Sequence, residues 1–577
     1  MTANNLEAVK KIIRGVNNKW IIFDYHAKNP DYHSDNYNFL KSDVLLGYFY
    51  KMGIYKTEEI EEYFTSNDYV ENFNRVHFVD KAVQIFVSAV NQKKEIVIFS
   101  DYDVDGINSA LYISKFLDSL GYSNGFHYHV LINERKYDYG VNKFVLSEML
   151  KYKDALILIM DSGTTYCKAM IDLLNHGHDV IVIDHHEPNQ ECFIRGIADE
   201  YPNFAIINPK VGSEVEYYHY ASTGVLVYYF VQNVIKYLQN KPKNKLHTDL
   251  PALSIISDYM KWTKSNMTLI KDLYEMIHSK NTNPIYVRAL QGKNVSFDSF
   301  HKDLSFVLVP MINSMGRMNK AGDAFYMMYE ILTDTKADVE KVYQYFDMVN
   351  SQRKSIQNQE KNKIESFIKS KYGNNLPNFL LINIYGMDRG ILSSLAANIA
   401  GQYGKPVMLL TLKNNKWDGS ARAPRYLDNF LNTVRELREP YLMANGHQSA
   451  FGVSISRLEE SYLMQIESKI NKNIESYKQI LDPKIDEIIG EIKDANDVRE
   501  IMDNIHLFVP SNFLNRATYM VSNYTLDGKY LKIDGEKYLC VFENSYVYMN
   551  QDHHPALVVR PTILKDEPGF IITDTIF

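Results

Sequence analysis

From about residue 94 the chain repeats one pattern: a short apolar, β-branched run, an acidic residue at its end, then apolar positions at helical spacing. Glu95-Ile96-Val97-Ile98-Phe99 leads into Asp101, Ala155-Leu156-Ile157-Leu158-Ile159-Met160 into Asp161, and Val180-Ile181-Val182-Ile183 into Asp184. Between these runs Ile113, Phe116, Leu117 and Leu120 precede Gly121, and Cys167, Met170, Ile171 and Leu174 precede Gly177. The alternation predicts β-α-β crossovers. Runs that are apolar throughout suit strands covered on both faces, so the sheet is expected to be parallel, with polar groups at its carboxyl edge lining a binding crevice. Three acidic strand ends should therefore converge.

Further along, residues 240–335 read as mostly helical and Ala337 to Lys371 as one long polar helix. A second α/β segment follows, with strands at Phe379 to Ile384 and Pro406 to Leu412 around a helix at Gly390 to Tyr403. Paired helical segments divided by Pro483 come next, and the last stretch is rich in Val, Tyr and Ile with turn signals at Asp527-Gly528 and Asp534-Gly535. The expected division is a parallel-sheet domain with its N-terminal extension and helical segment over 1–335, a connector helix over 336–372, a smaller α/β domain over 373–457, a helical segment over 458–504, and a small β-rich, OB-like domain over 505–577.

Composition agrees with an ordered protein of more than one core: 577 residues, 45% hydrophobic and 23% charged. The N-terminus has no apolar leader and the run from Ala221 to Leu238 is broken by Gln232, Asn233 and Lys236, so no membrane span is expected. Cys167, Cys192 and Cys540 are few and far apart, which predicts neither a zinc site nor a disulfide and points to a reducing, cytoplasmic setting. The net charge of −7 does not exclude nucleic acid, because carboxylates that hold cations contribute negative charge that those cations neutralise.

Ser100-Asp101-Tyr102-Asp103-Val104-Asp105-Gly106 spaces three carboxylates two residues apart, a set of hard oxygen donors. A calcium loop of the EF-hand type is excluded, since its twelfth position, which needs a bidentate Glu, is Tyr112. A solvated acidic loop is the bland alternative for this segment alone. Asp161-Ser162-Gly163-Thr164 and Asp184-His185-His186 add a carboxylate and a carboxylate beside two imidazoles at other strand ends. Asp552-His553-His554 repeats that tripeptide without a preceding strand and crossover, and reads as a turn.

These residues resemble the DHH phosphoesterase family and, within it, the RecJ-type single-strand exonucleases, over roughly residues 75 to 455. Asn133-Glu134-Arg135 with Tyr139-Gly140-Val141-Asn142 is similar to the P-N-R and E-G-Y-G-L-N segment, and Ile256-Ser257-Asp258 to a fourth acidic motif. Leu308-Val309-Pro310-Met311-Ile312-Asn313-Ser314-Met315-Gly316-Arg317-Met318 resembles the L-x-P-x-I-N-A-x-G-R-M/L signature. Gly419-Ser420-Ala421-Arg422 and Gly446-His447-Gln448-Ser449-Ala450-Phe451-Gly452 resemble the companion DHHA1 domain. Ser100, Asn108, Glu134 and Ala423-Pro424 depart from the usual residues.

The resemblance implies two Mn²⁺ or Mg²⁺ ions held by Asp101, Asp103, Asp105, Asp161, Asp184, His185 and Asp258. Asp161 would bridge them, Asp184 could instead orient His185, and His186 would meet the scissile phosphate. Two such cations about 3.5–4 Å apart can generate a nucleophile and stabilise the leaving oxygen together. Arg135, Arg317, Ser420, Arg422, Gly446 and His447 are the implied substrate contacts. Between Lys405 and Arg438 there are seven Lys or Arg against three Asp or Glu, with Trp417 either an aromatic platform suited to single strands or a core residue. The implied activity is hydrolysis of single-stranded DNA from its 5′ end in repair, recombination or replication, beside a single-strand-binding protein or helicase. A nano-RNA or cyclic-dinucleotide phosphodiesterase and a non-catalytic replication scaffold are the alternatives.

Overall fold

The computed structural model describes residues 9–14, 19–23, 45–52, 72–137, 139–189, 192–214, 216–238, 246, 248–293, 295–296, 299–373, 375–387, 389–413, 415–424, 427, 429–475, 485–503, 517–542, 556–564 and 567–576. The chain divides into two compact units, one of Ser66–Asn358 and one of Met1–Thr65 with Gln359–Phe577.

In the first unit the apolar runs form β1 (Ile96–Ser100), β2 (Tyr128–Ile132), β3 (Leu156–Met160), β4 (Asp179–Ile183) and β5 (Phe204–Ile207). They make one parallel sheet in the order β2-β1-β3-β4-β5. Alternate side chains pack on opposite faces. Ile96, Ile98, Leu156, Leu158, Ile181 and Ile183 join α1 (Val104–Ser119) on one side. Val97, Phe99, Ile157, Ile159, Val180 and Val182 join α2 (Lys143–Met149) and α3 (Cys167–Asn175) on the other. Each such side chain, fully buried, contributes roughly 1.5–3 kcal/mol, and double-sided burial is why the runs carry no polar alternation.

The register places Ser100 beside Ile132 and Met160, Met160 beside Ile183, and Ile183 beside Ile207. The next residue on each strand is therefore Asn133, Asp101, Asp161, Asp184 and Asn208 in spatial order, a row of polar groups along the carboxyl edge. Above this row lie α4 (Thr223–Tyr237), α5 (Asp249–Ser257) and α6 (Leu308–Arg317). The long helix α7 (Val339–Tyr372) has 34 residues and carries the chain into the second unit.

There, β6 (Leu380–Asn383), β7 (Val407–Lys413), β8 (Lys416–Arg422), β9 (Leu442–His447) and β10 (Ala450–Ile455) form a sheet in the order β9-β10-β8-β7-β6. Only β6 and β7 run parallel, joined across α8 (Arg389–Tyr403). Trp417 is 1% exposed in the core of this sheet with Phe430 and Phe451. Its Nε1 donates to Leu458 O at 3.4 Å, so of the two readings it is the core residue and not the base platform.

The segment expected to be helical over 458–504 is mixed: helix Glu460–Glu475, then strands Ile485–Ile488 and Gly490–Ile492, then helix Ala495–Asp503. Ile485–Ile488 pairs in parallel with Lys19–Phe23, a non-local partnership that overrides a short ambiguous pattern. The C-terminal strands form a seven-stranded sheet that includes Gly490–Ile492. The expected turns at Gly528 and Gly535 sit at φ 59° and 85°, conformations that favour glycine. Asp552-His553-His554 lies outside the described residues. Among those described, no helix is long and apolar enough to cross a membrane.

Cys167 and Cys192, expected to be unpaired, form a disulfide with Cα atoms 5.4 Å apart. The crossover brings positions 25 residues apart in sequence to the same end of the sheet, which sequence spacing alone cannot reveal. The inference of a reducing setting from cysteine usage falls with it.

Candidate active site

Asp101, Asp161 and Asp184 stand in the polar row at the ends of β1, β3 and β4, each buried. Asp103 is the N-cap of α1 and accepts from Gly106 N at 3.1 Å. That turn requires a glycine: a Cβ on Gly106 would sit 2.4 Å from Asp101 O. Asp105, fully buried, accepts from Thr223 N and Gly224 N, both at 2.8 Å, at the N-terminus of α4. Asp161 has φ 56°, a left-handed conformation that turns the chain out of β3, and accepts from Thr223 Oγ1 at 3.1 Å. Asp258 caps the C-terminus of α5.

These side chains surround His185. Its Nε2 is 3.5 Å from Asp161 Oδ1, 3.5 Å from Asp258 Oδ2 and 3.9 Å from Asp105 Oδ2. Among the described residues, three overlapping groups could hold a metal ion: Asp101, Asp103 and Asp161; Asp105, His185 and Asp258; and Asp161, His185 and His186. Within each, the ligand atoms lie within 4.8 Å of one another.

The electrostatics separate the acids into two kinds. Burial, then the Asp103 charge, raises Asp101 to about 7, and the same two causes raise Asp105 to about 6 despite its backbone bonds. Burial and the neighbouring carboxylates push Asp161 and Asp258 well above the usual carboxylate range. These like charges crowd a desolvated site, and a cation is what such a set fits.

Asp184 behaves oppositely. Burial would raise it, but His186 and the bonds it accepts hold it below the ordinary range. Its Oδ1 accepts from His185 N at 2.8 Å, His186 N at 3.1 Å and His186 Nδ1 at 2.7 Å, and its Oδ2 from Thr164 N at 3.0 Å. With its oxygens so engaged, Asp184 departs from the expected ligand set and belongs to none of the three groups. It orients His186 rather than His185.

The long sequence string around Asn313 acquires a structural reason. Asn313 Oδ1 accepts from Val104 N at 3.0 Å, and a Cβ on Gly316 would lie 2.5 Å from Tyr102 O, so α6 docks directly on the acidic loop. Arg317 ends that helix, and Arg135 lies with Cζ 5.0 Å from the centre of the Tyr102 ring. Ser420, Arg422 and Gly446 belong to the second unit. There Arg422 donates to Ala421 O at 2.7 Å and to Ser393 Oγ, while Gly446 has φ 141° where a Cβ would strike the Phe451 backbone at 2.8 Å. The His447 side chain lies outside what is described.

Sequence reasoning assigned no role to several supporting residues, although Asn133 stands in the segment that carries the resemblance. Asn133 donates to Asp101 Oδ1 at 3.3 Å, and Asn208 donates to Thr164 Oγ1 at 2.8 Å and His186 O at 2.9 Å. Their signal was positional, since each follows a strand level with β1, β3 and β4. Tyr139, whose Oη lies 3.1 Å from His186 Nε2, stands in the Tyr139-Gly140-Val141-Asn142 segment that carries the resemblance, which assigned it no role.

Residues 95–255 match the DHH family, N-terminal domain. The single-stranded-DNA-specific exonuclease RecJ of Bacillus subtilis is 21% identical over 447 residues, 76% of this chain and 53% of that protein. The chain thus spans about half of that relative's length. The RecJ of Haemophilus influenzae is 23% identical over 67% of each chain. The crystal structure of RecJ from Thermus thermophilus in complex with Mn²⁺ matches with TM-score 0.63 at 17% identity, covering 92% of this chain and 75% of that one. That likeness shows the fold.

Two outcomes test the site. The raised acids bind protons more tightly folded than unfolded, so their stabilising contribution is full below the ordinary value of 3.8 and is lost as pH rises through about 6 for Asp105 and about 7 for Asp101. The melting temperature of chelated protein should fall between about pH 5 and about pH 8, and a cation at about a hundredfold excess over its Kd should restore ~2.7 kcal/mol at the upper end. A flat profile would contradict mutual repulsion among the acids. Gly316→Ala should cost about 1–3 kcal/mol in urea unfolding by forcing α6 off the acidic loop; wild-type stability would mean the contact yields freely.

Proposed function

We propose that this chain is a two-metal phosphodiesterase acting as an exonuclease on single-stranded DNA, working from the 5′ end and releasing mononucleotides. The observation that carries this reading is the cluster of Asp101, Asp103, Asp105, Asp161, His185 and Asp258, acids held together against their own repulsion at one sheet edge. Nucleic acid as substrate is supported by the resemblance to single-stranded-DNA-specific exonucleases, and the 5′ polarity by the same resemblance.

Asp101 and Asp103 would hold one cation, Asp105, His185 and Asp258 the other, with Asp161 between the two groups. When bound, the cations supply Lewis-acid polarisation of the phosphoryl oxygens and lower the pKa of water. Manganese or magnesium suits the set, in which His185 is the single imidazole among carboxylates. The protein's part is orientation. Thr223 Oγ1 fixes Asp161, Thr223 N and Gly224 N fix Asp105, and Asn133 fixes Asp101. Arg135 and Arg317, both near Tyr102 of the acidic loop, carry guanidinium forks that match phosphate oxygens, and α1 and α4 direct their N-termini toward the site. From the second unit, Ser420, Arg422, Gly446 and His447 would contact the nucleic-acid backbone.

The test offers 5′-labelled single-stranded DNA, duplex DNA, RNA and dinucleotides, each with Mn²⁺, Mg²⁺ or chelator. Mononucleotide release from single-stranded DNA that requires a cation is expected. Preference for dinucleotides would replace the exonuclease reading, and cleavage of nothing would favour a scaffold. Asp161→Asn should lower kcat by more than the about 100-fold that loss of an outer-sphere partner can cost, with the circular-dichroism spectrum unchanged; retained activity would remove Asp161 from the centre. Arg135→Ala should raise KM about tenfold or more, the size of a charge-assisted hydrogen bond, and an unchanged KM would count against phosphate binding there.

A further inference from the structure

His186 lies at the border of the cation cluster. Its Nδ1 is 4.0 Å from Asp161 Oδ1, and with Asp161 and His185 it makes one of the three groups able to hold a metal ion. An imidazole coordinates through a nitrogen lone pair aimed at the cation, and both of its ring nitrogens are engaged elsewhere. Nδ1 is 2.7 Å from Asp184 Oδ1. An ionised carboxylate only accepts, so Nδ1 carries the proton. The opposite end of the ring meets Tyr139 Oη, 3.1 Å from Nε2, with the two rings edge to face and their centroids 6.0 Å apart. A turn about Cβ–Cγ that aims a lone pair at Asp161 must break the bond at Nδ1 and the bond at Nε2 as well. Together they pin the ring.

Tyr139 is itself held. Its carbonyl accepts from Tyr166 Oη at 2.9 Å. Gly140 has φ 65°, and a Cβ there would lie 2.4 Å from that same Tyr166 oxygen, so the close approach needs a glycine. Tyr166 immediately precedes α3, on the segment that leaves Asp161. The loops after β2, β3 and β4 are thereby tied together through Tyr139, Tyr166 and His186.

We propose that Tyr139 is a positioning residue for metal specificity: by pinning His186 in its bond to Asp184, it keeps a second imidazole out of the coordination sphere and the ligand set oxygen-rich. This inference rests on the two-metal reading above. Oxygen-rich sets suit manganese and magnesium, whereas each added imidazole favours zinc. Without the Tyr139 bond, the turn that brings a lone pair of His186 toward Asp161 and His185, and completes a site with two imidazoles, has one bond fewer to break.

The experiment compares Zn²⁺ and Mn²⁺ affinities by calorimetry, with zinc delivered from a chelator buffer, in full-length wild type, Tyr139→Phe, and the double variant Tyr139→Phe with His186→Phe. Tyr139→Phe should raise the ratio of zinc to manganese affinity about tenfold, the lower end of what loss of an outer-sphere partner does to a metal site. The double variant should return the ratio to the wild-type value. An unchanged ratio in folded Tyr139→Phe, or a raised ratio that survives removal of His186, overturns the proposal. If Tyr139→Phe does not fold, Tyr166→Phe, which loosens Tyr139 through its carbonyl alone, should shift the ratio in the same direction, and no shift there is equally decisive. Calorimetry needs no turnover. Wild type that binds manganese but cleaves nothing defeats the exonuclease reading and leaves this test intact, while wild type that binds neither ion defeats the metal reading itself.

Discussion

The architecture of the first unit follows from one constraint: acids from separate segments must be held within a few ångströms of one another in a desolvated place. Two buried unit charges of like sign repel strongly when water is excluded, and hydrophobic packing gives no reason to gather them. The fold counters the repulsion with its backbone. Asp103 caps α1, Asp105 takes two N–H groups at the start of α4, and Asp161 turns out of its strand in a left-handed conformation. Helix N-termini carry partial positive charge, so two helices soften a repulsion that they cannot cancel. Burial first, and then the repulsion that remains, show in the raised pKa values of Asp101 and Asp105.

The core exists to hold that edge level. Five strands in parallel register end on the same line, so each following residue projects into one row. A slip of one residue in any strand would send its acid to the opposite face of the sheet, and double-sided burial of Ile, Val and Leu is what makes such a slip costly. The tight glycine contacts at Gly106 and Gly316 serve the same end, letting a turn and a helix approach the acidic loop more closely than any side chain permits.

Much of this was legible in sequence because the acids are local and the strands are strongly patterned. The ends of β1, β3 and β4 announced themselves as apolar runs followed by Asp. β2 did not, since Tyr128–Ile132 is an edge strand with a half-buried face that dilutes the pattern. β5 has only four residues and follows a turn without an acid, and with it Asn208 was lost. Trp417 stayed undecided between platform and core, and the Cys167–Cys192 pair went wrong, for a related reason: burial and proximity are set by partners distant in sequence, and neither composition nor spacing reports them. The division of labour between Asp184 and its neighbours was likewise undecidable, because it depends on where each carboxylate oxygen points.

That division sets the two buried acids Asp161 and Asp184 apart. Asp184 is as buried as Asp161, yet its pKa moves the other way. The difference lies in neighbours: Asp161 faces carboxylates, whereas Asp184 faces backbone N–H groups and an imidazole. A carboxylate already supplied with donors gains little from a cation, while one surrounded by its own kind gains most. Position alone, in a row of strand ends, would make the two acids equivalent. Electrostatics makes one a candidate for the centre of the metal site and the other the anchor that holds His186 at its border.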